Sequence, residues 1–503
     1  MNVKHQLLAL CATAGFLLNP VLNADTTTEP TPKEILSQPT WKLGEPIQFM
    51  DGKLVFDAQE RLRMEMRNNT FDFNDSMKSP QDDTFLLQRV RLGILYKPAE
   101  WLKFYASGQD SREVFSNRPN TPFVLGSEGD NTFNLREGNV EIGNLQNFPL
   151  SAKIGRQVLS YGDERLIGGF DWNNFGRTFD AAKITVQATQ KLSIDIFAAS
   201  VVEMEGYQPL QGDHTWQFNN SDPSHDKLIG VYATDKNGLV SFQQTEAYFL
   251  YRGKDGNDPN YKLTPSAADN FSYDVDQEVY CVGGRVKSTS PGHLKGFDYE
   301  GDFAYEFGTG GLPATGKGGR GLENGLTLSA FAAHAAAGYN WELAPWTPRL
   351  GLDYAVASGD SNPNDGKSES FMNLFPTNHK FYGYMDTFAW KNMHDPSINL
   401  TLKPNSKITL RLEQHVFFLY TNEDAWYRAN AVTTVRTLNA AARNASTYVG
   451  QESDVTATYA YSKWLNFLVG YSHFWAGDYV RQTSPTRAQD DAEFLYVQTT
   501  LKF

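Results

Sequence analysis

The sequence predicts an all-β fold class, a transmembrane antiparallel β-barrel of about 18 strands with short periplasmic turns and long extracellular loops. Apolar and polar residues alternate along many segments, and this period of two is the signature of a strand. Short links alternate with long polar links between these segments, as they do in outer-membrane barrels. The chain also ends on an aromatic residue, Phe503, which shares an alternating apolar face with Leu495, Val497 and Leu501.

The clearest alternation lies in residues 150–198. Ile184 and Val186 belong to an apolar face there, and the short link Thr189–Lys191 joins their segment to the next one as a hairpin. The link before it, over residues 161–177, is long, polar and rich in glycine. This contrast between a short and a long link predicts turns on one side of the membrane and loops on the other.

The same pattern continues along the chain and predicts 18 strands, an even number that leaves both termini on the turn side. Closure of the barrel leaves no strand edge unpaired, which matters because an unpaired backbone group in lipid costs several kcal/mol. The predicted strands are Lys53–Arg67, Thr84–Lys97, Leu102–Arg112, Phe133–Gly143, Leu150–Tyr161, Thr178–Ala188, Leu192–Val202, Lys227–Thr234, Thr245–Arg252, Gln277–Lys287, Gly296–Gly308, Leu326–Trp341, Thr347–Ser358, Phe388–Leu402, Lys407–Tyr420, Glu452–Ser462, Leu465–Trp475 and Ala492–Phe503.

The N-terminus carries the pattern of a secretory signal. Lys4 is positive, Leu7–Leu18 is apolar, and Ala24 precedes a cleavage point. No later run of about 18 apolar residues predicts a membrane helix. The predicted organisation is a signal peptide at residues 1–24, a flexible periplasmic leader at residues 25–46 and an outer-membrane β-barrel at residues 47–503.

Charge and cysteine content exclude several classes of function. The formal net charge is −13, so bulk charge does not favour nucleic-acid binding. Cys281 is the one cysteine outside the predicted signal, which excludes an intramolecular disulfide or a cysteine metal cluster. Because no zinc-protease, serine-hydrolase or Cys-His motif occurs, we expect no enzyme activity, no cofactor and no metal centre.

Two loop motifs resemble ion or phosphate sites without completing them. Residues 311–317 nearly form a phosphate-binding loop, but Gly318 stands where a serine or threonine must hold magnesium. Asp360 begins a run of acids and amides like a calcium loop, but Phe371 replaces the bidentate glutamate. A looser cation site in this acidic external loop stays open.

Basic residues recur on the polar faces of the predicted strands, and parity directs these faces into the lumen. Arginine and lysine rings select anions in pores, and arginine binds carboxylates in a planar fork. The alternative is a lumen network of ion pairs with acids such as Glu65 and Glu413. Arg156 has the parity of lipid-facing Ile154 and reaches the lumen only through a bulge at Gly155. The candidate conduit residues are Arg61, Arg63, Arg89, Arg91, Lys103, Lys153, Arg156, Lys183, Arg285 and Arg411.

Several segments together resemble the alginate export family of outer-membrane porins. They are spread over roughly residues 80–503, and their order and spacing carry the resemblance. The segments are GRQVLSYGDERLIGG at 155–169, WNNFGRTFDA at 172–181, SGDSNPNDG at 358–366, FMNLFPTNHKFYGYMD at 371–386, DAWY at 424–427, VGQESD at 449–454 and GYSHFWAGDY at 470–479.

The resemblance implies a monomeric barrel of eighteen strands that passes an anionic polyuronate through an arginine-rich lumen. It also implies functional or loop-anchoring roles for the charged residues of the matching motifs. The expected partners are an anionic polysaccharide or oligosaccharide, outer-membrane lipid and the barrel-assembly machinery, which recognises a C-terminal aromatic signal. Together with Arg156, the residues singled out in these motifs are Asp163, Arg165, Arg177, Asp180 and Asp360.

Other functions remain open on the sequence. A general or small-anion porin, such as a phosphate porin, would share the barrel and the basic lumen. An outer-membrane polysaccharide lyase or lipase would need a catalytic cluster near a rim, and a surface adhesin would use the long loops with a sealed pore. Pore radius, ion selectivity and current block by alginate distinguish these classes.

Overall fold

The computed structural model describes most of the chain after the leader. Among the described residues, no helix is long and apolar enough to span a membrane. The predicted signal peptide, most of the predicted leader and the glycine-rich loop at residues 311–318 lie outside the described residues. The described residues are 44–70, 73, 82–118, 128–202, 226–254, 277–289, 295–310, 326–431, 433–436, 438–484 and 491–503.

The described part of the chain is almost entirely β-structure. Two short α-helices, α1 (Ala440–Arg443) and α2 (Asp478–Thr483), and a 3₁₀ turn at Asn378–Lys380 lie between strands. The strands are β1 (Ile47–Phe49), β2 (Leu54–Asn68), β3 (Asp83–Ala99), β4 (Leu102–Val114), β5 (Asn131–Ile142), β6 (Leu150–Gln157), β7 (Phe179–Gln187), β8 (Leu192–Val201), β9 (Asp226–Lys236), β10 (Gln243–Lys254), β11 (Gln277–Ser288), β12 (Phe297–Thr309), β13 (Thr327–Asn340), β14 (Arg349–Ala357), β15 (Lys367–Ser368), β16 (Met393–Asn405), β17 (Ile408–Phe418), β18 (Trp426–Tyr427), β19 (Thr434–Arg436), β20 (Tyr448–Ala460), β21 (Leu465–Ala476) and β22 (Ala492–Lys502).

Eighteen of these strands close into one antiparallel barrel, which confirms the predicted fold class. Each barrel strand pairs with the next one along the chain, and β2 pairs with β22, so that Arg61 lies opposite Thr500. The barrel strands are β2–β14, β16, β17 and β20–β22. Of the remaining four, β1 and β15 extend the barrel sheet, and β18 and β19 form a separate pair.

The two faces of the wall differ as the alternation predicts. On β2, Arg61 and Arg63 are buried, whereas Met66 on the other face is exposed. Exposed apolar side chains such as Ile154 and Ile184 form a belt around the outside, as lipid contact requires. The alternation therefore separates an apolar exterior from a polar interior.

Two long links fold inward and pack inside the barrel. We define residues 158–178, after β6, as the first inner segment, and residues 358–392, after β14, as the second. A parallel bridge joins them at Ile167 and Phe375, with backbone hydrogen bonds of 2.8 and 2.9 Å on either side. Phe371 and Trp390 of the second segment are fully buried, in a cluster that includes the wall residues Ala357 and Phe417.

These inner segments explain two of the largest errors in the predicted strand ends. The predicted strand Leu150–Tyr161 stops at Gln157, because the chain then turns into the lumen. The predicted strand Phe388–Leu402 begins only at Met393. Phe388 instead stacks on Phe417 at 4.2 Å, so its apolar side chain is buried inside the barrel rather than in the wall.

Candidate functional site

The candidate site is a cluster of basic side chains on the inward face of β2–β5, beneath the first inner segment. Arg61 and Arg89 lie directly opposite each other on neighbouring strands. Both guanidiniums donate to the carbonyl oxygen of Asp171, at 2.7 Å from Arg61 and 3.1 Å from Arg89. Arg63 donates to the carbonyl oxygen of Trp172 at 2.7 Å. The wall arginines therefore hold the backbone of the inner segment in place.

The side chain of Asp171 also points into this arginine cluster. Its carboxylate lies 3.1 Å from Arg89, 2.7 Å from Arg91 and 3.9 Å from Arg136. The Asp171 side chain is 58% exposed, but the surrounding protein still desolvates it and would raise its pKa; these arginines together with Arg61 outweigh that effect and hold the pKa well below its usual range. Asp171 is therefore a carboxylate at neutral pH.

Two further acids, Glu65 and Glu128, neutralise positive charge in the cluster by pairing with Arg63. Arg63 bonds Glu65 at 2.7 Å and Glu128 at 2.9 Å. Glu128 also accepts a hydrogen bond from the backbone N–H of Asn174, and burial raises the pKa of its carboxyl group. Glu65 is close to the arginines in sequence, whereas Asp171, Glu128 and Arg136 come from other elements. Sequence reasoning missed these three, although Asp171 directly precedes the motif at 172–181.

A row of lysines lies on the inward face of β4–β7. Lys103, Glu141, Lys153 and Lys183 are direct neighbours across four consecutive strands. Directly opposed side chains are about 5 Å apart, so the four groups share one electrostatic environment. Lys103 pairs with Glu141 at 2.7 Å, and Lys183 pairs with Asp195 at 3.3 Å. Lys153 makes no ion pair among the described residues.

The two inner segments meet beside Arg63. The indole of Trp172 stacks on the imidazole of His379, with ring centroids 3.7 Å apart and an interplanar angle of 10°. The guanidinium of Arg63 lies over the same indole at 3.8 Å. His379 is fixed in turn by Asp386, whose carboxylate oxygens lie 3.0 Å from Nδ1. We call Arg63, Trp172 and His379 the lumen stack.

On the opposite wall, Arg165 ties the first inner segment to β12, because its guanidinium lies 3.8 Å from the carboxylate of Asp302. Within the segment Arg165 bonds Asp163 at 3.0 Å, and within the wall Arg285 bonds Glu300 at 2.8 Å. Burial would raise the pKa of Asp163, but Arg165 and Arg285 outweigh it and lower the pKa to about 2. Glu300 and Asp302 lie near His334 in a group that could hold a metal ion. The two acids are already paired with arginine there.

The remaining motif and conduit residues lie in four other places. Arg177 donates to the carbonyl oxygens of Gly168 and Pro376, at 3.2 and 2.9 Å, and so links the two inner segments. Arg411 pairs with Glu413 at 2.6 Å on the inward face of β17.

Arg156 and Asp180 lie on the outer face instead. The β5–β6 pairing runs through Gly155 without a register shift, so Arg156 keeps the parity of exposed Ile154. Arg156 bonds Asp180 at 2.9 Å and donates to the carbonyl oxygen of Leu135, where the β5–β6 pairing ends. The bulge suggested for Gly155 is absent from this pairing, and we leave Arg156 out of the conduit.

Asp360 lies in the external acidic loop of the second inner segment. Its carboxylate accepts from the N–H of Asn362 at 3.1 Å, and its own N–H donates to Asp424 at 3.1 Å. Burial raises the pKa of Asp360 to about 6, and Asp424, Asp365 and Glu369 add to the effect. The structure thus gives Asp360 a hydrogen-bonding role at the base of this loop.

An apolar exterior, a charged interior and inward-folded links define this molecule as an outer-membrane channel barrel. Residues 53–492 match the model of the family described as alginate export, and the chain belongs to that family. Family and fold together place the protein in the outer membrane. No curated protein matches the chain by sequence.

Solved structures of Occ proteins share the fold. Acinetobacter baumannii OccAB1 is 13% identical with a TM-score of 0.54, over 93% of this chain and 99% of that one. Pseudomonas aeruginosa OccK2 (OpdF) in complex with glucuronate is 10% identical with a TM-score of 0.52, over 90% and 98%. Pseudomonas aeruginosa OccD3 (OpdP) is 11% identical with a TM-score of 0.50, over 93% and 95%.

Proposed function

We propose that this protein is a passive channel for an anionic polysaccharide or oligosaccharide, an alginate-like polyuronate. The observation that carries the proposal is the concentration of positive side chains on one side of the inward wall. The lysine row on β4–β7 lies beside the arginine cluster on β2–β5. A uronate chain carries one carboxylate per sugar and can pass from lysine to arginine along this wall.

The two groups of basic residues have different roles in this proposal. Most of the arginine bonds go to the backbone and acids of the inner segment, which fixes this segment against the wall. Lys153 has no ion pair among the described residues, and Lys103 is only half-buried. The lysine row is therefore the part of the wall that attracts a mobile anion, and the arginine cluster shapes the passage beside it.

A small-anion channel is the second candidate, because two inner segments pack inside the barrel. The lumen stack brings one ring from each segment into contact beside Arg63. A monomeric uronate or an inorganic anion needs less space than a polymer, and OccK2 was crystallised in complex with the monomeric uronate glucuronate. Current block by alginate oligomers of increasing length separates the two candidates.

The test is a change in ion selectivity that leaves the arginine cluster intact. Lys153→Glu with Lys183→Glu should shift the reversal potential in a KCl gradient toward cation preference and weaken block by alginate oligomers. The control is Lys403→Glu with Lys463→Glu, which makes the same charge change at exposed positions in or beside the periplasmic turns. Equal reversal potentials for both double variants and the wild type would refute a lysine-lined anion path.

The proposals on export, membrane assembly and oligomeric state are based on the sequence. We propose that the signal peptide at residues 1–24 directs export, that Phe503 serves recognition by the barrel-assembly machinery, and that the barrel acts as a monomer. Outer-membrane fractionation with N-terminal sequencing of the mature chain tests the first point. Mass measurement of the detergent-solubilised protein tests the third, and a stable trimer would contradict it.

A further inference from the structure

Three guanidinium groups of the wall converge on one carboxylate of the first inner segment. We call Arg89, Arg91 and Arg136 the arginine triad; their Nη2 atoms lie 3.1, 2.7 and 3.9 Å from the carboxylate of Asp171. All three arginine side chains are largely buried, whereas the Asp171 side chain is 58% exposed. The carboxylate therefore faces the open lumen while its partners belong to the wall.

The triad does not depend on this carboxylate for its position. Each guanidinium uses another nitrogen for a partner that is fixed in the fold, so that all three stay in place when the carboxylate leaves. Preorganised donors of this kind favour binding because little ordering is needed. The fixed partners are the carbonyl oxygen of Asp171 for Arg89 at 3.1 Å, Oε1 of Gln109 for Arg91 at 2.6 Å and the carbonyl oxygen of Phe175 for Arg136 at 3.0 Å.

The inner segment is likewise held without the Asp171 side chain. Its backbone is bonded by Arg61 at the carbonyl oxygens of Asp171 and Asn173, and by Arg63 at that of Trp172. The Asp171 carboxylate can therefore rotate away without displacing the segment. These separate attachments allow the carboxylate to leave the triad without disturbing either the arginines or the segment.

We propose that the arginine triad is a carboxylate-binding site that Asp171 occupies in the resting channel, and that a uronate carboxylate exchanges with Asp171 during passage. This inference rests on the function proposed above and names the site at which the anionic sugar binds. Exchange replaces one ion pair by another, so the bound sugar is held weakly and is released when Asp171 returns. A channel must both bind its substrate and release it.

The test compares two variants that each remove one lumen carboxylate. Asp171→Asn vacates the triad, whereas Asp298→Asn on β12 changes the lumen charge equally but releases only Arg349, away from the lysine row and the triad. Binding of sodium glucuronate to the detergent-solubilised full-length protein is measured by calorimetry, with glucose as the uncharged comparison. We expect the Kd for glucuronate to fall roughly tenfold in Asp171→Asn and less than about twofold in Asp298→Asn, with no glucose binding.

The outcomes separate this inference from the proposed function. An equal decrease in the Kd for glucuronate in both variants would show that the change in lumen charge, and not the vacated triad, strengthens binding, and it would overturn the proposed exchange. Weaker binding in Asp171→Asn would overturn it as well. If glucuronate binds more tightly to Asp171→Asn but neither it nor alginate permeates or blocks the wild-type channel in a planar bilayer, the site stands and the proposed function fails. Asp171→Ser, verified as folded by heat-modifiable gel migration, replaces Asp171→Asn if the latter does not assemble.

Discussion

Removal of the Trp172 side chain should loosen the contact between the two inner segments. Trp172→Ala deletes the indole that stacks on His379 at 3.7 Å and lies under Arg63 at 3.8 Å. The backbone bond from Arg63 to the carbonyl oxygen of Trp172 does not involve the indole and is retained. The substitution therefore tests the lumen stack without detaching the first inner segment from the wall.

The size of the effect follows from the contacts that are lost. An aromatic stack contributes about 0.5–1.5 kcal/mol beyond its buried area, and a cation–π contact about 0.5–2 kcal/mol. Their sum of about 1–3.5 kcal/mol corresponds to a roughly 5–400-fold shift in the equilibrium between joined and parted segments. We expect a larger open conductance and more frequent opening in single-channel recordings.

Trp475→Ala is the matched control, because this tryptophan is 43% exposed on the outer face of the wall. It should leave conductance at the wild-type level. His379→Ala and the double variant complete a cycle, in which the two single effects should add to more than the effect of both together. Unchanged conductance in folded Trp172→Ala would refute the view that the lumen stack limits the passage.

Three further predictions concern assembly, the outer face and acid stability. Phe503→Ala should reduce heat-modifiable assembled barrel far more than Phe307→Ala, since only Phe503 ends the chain; equal yields would remove the terminal-signal argument. Arg156→Leu should destabilise the barrel by about 3 kcal/mol in urea unfolding, because it leaves Asp180 unpaired, and adding Asp180→Leu should restore most of the loss; no recovery in the double variant would contradict this. Neighbouring arginines outweigh the effect of burial and lower the pKa of Asp163 to about 2. Its ion pairs therefore contribute roughly 2 kcal/mol to the free energy of unfolding. This contribution is present above about pH 4 and is lost as the pH falls toward 2. Asp163→Asn should flatten the pH dependence of the free energy of unfolding over that range. An unchanged pH profile would show that groups other than Asp163 cause the loss of stability in acid.

The wall could be predicted because its constraint is local. One face of each strand contacts lipid and the other contacts the lumen, so every strand carries the same period of two. The inward position of Arg61, Arg63, Arg89 and Arg91 follows directly from that parity. Strand number and pairing order were therefore available from the sequence.

The interior of the barrel could not be predicted in this way. The inner segments have no simple period, and their positions depend on partners far away in sequence, such as Arg177 with Pro376. Among the acids near these arginines in sequence, Glu65 has the matching inward parity. In the fold, Asp171 and Glu128 also enter the cluster from other elements and reduce its net positive charge. Arg136 was missed because β5 has a register shift beside it, and a bulge breaks the parity rule there.

The way in which the inner segments are attached has a consequence for selectivity. Wall arginines bond their carbonyl oxygens, and wall acids accept from their amides, as Glu306 does from Met372 at 2.7 Å and Glu452 from Met385 at 2.9 Å. Such bonds recognise the backbone, which is the same for every residue except proline. Side chains of these segments that face the lumen, such as Asp171, can therefore change without moving the segment. In the anion channel proposed above, we therefore expect the wall residues to hold the inner segments in place, while lumen-facing side chains of these segments, such as Asp171, tune which anion passes.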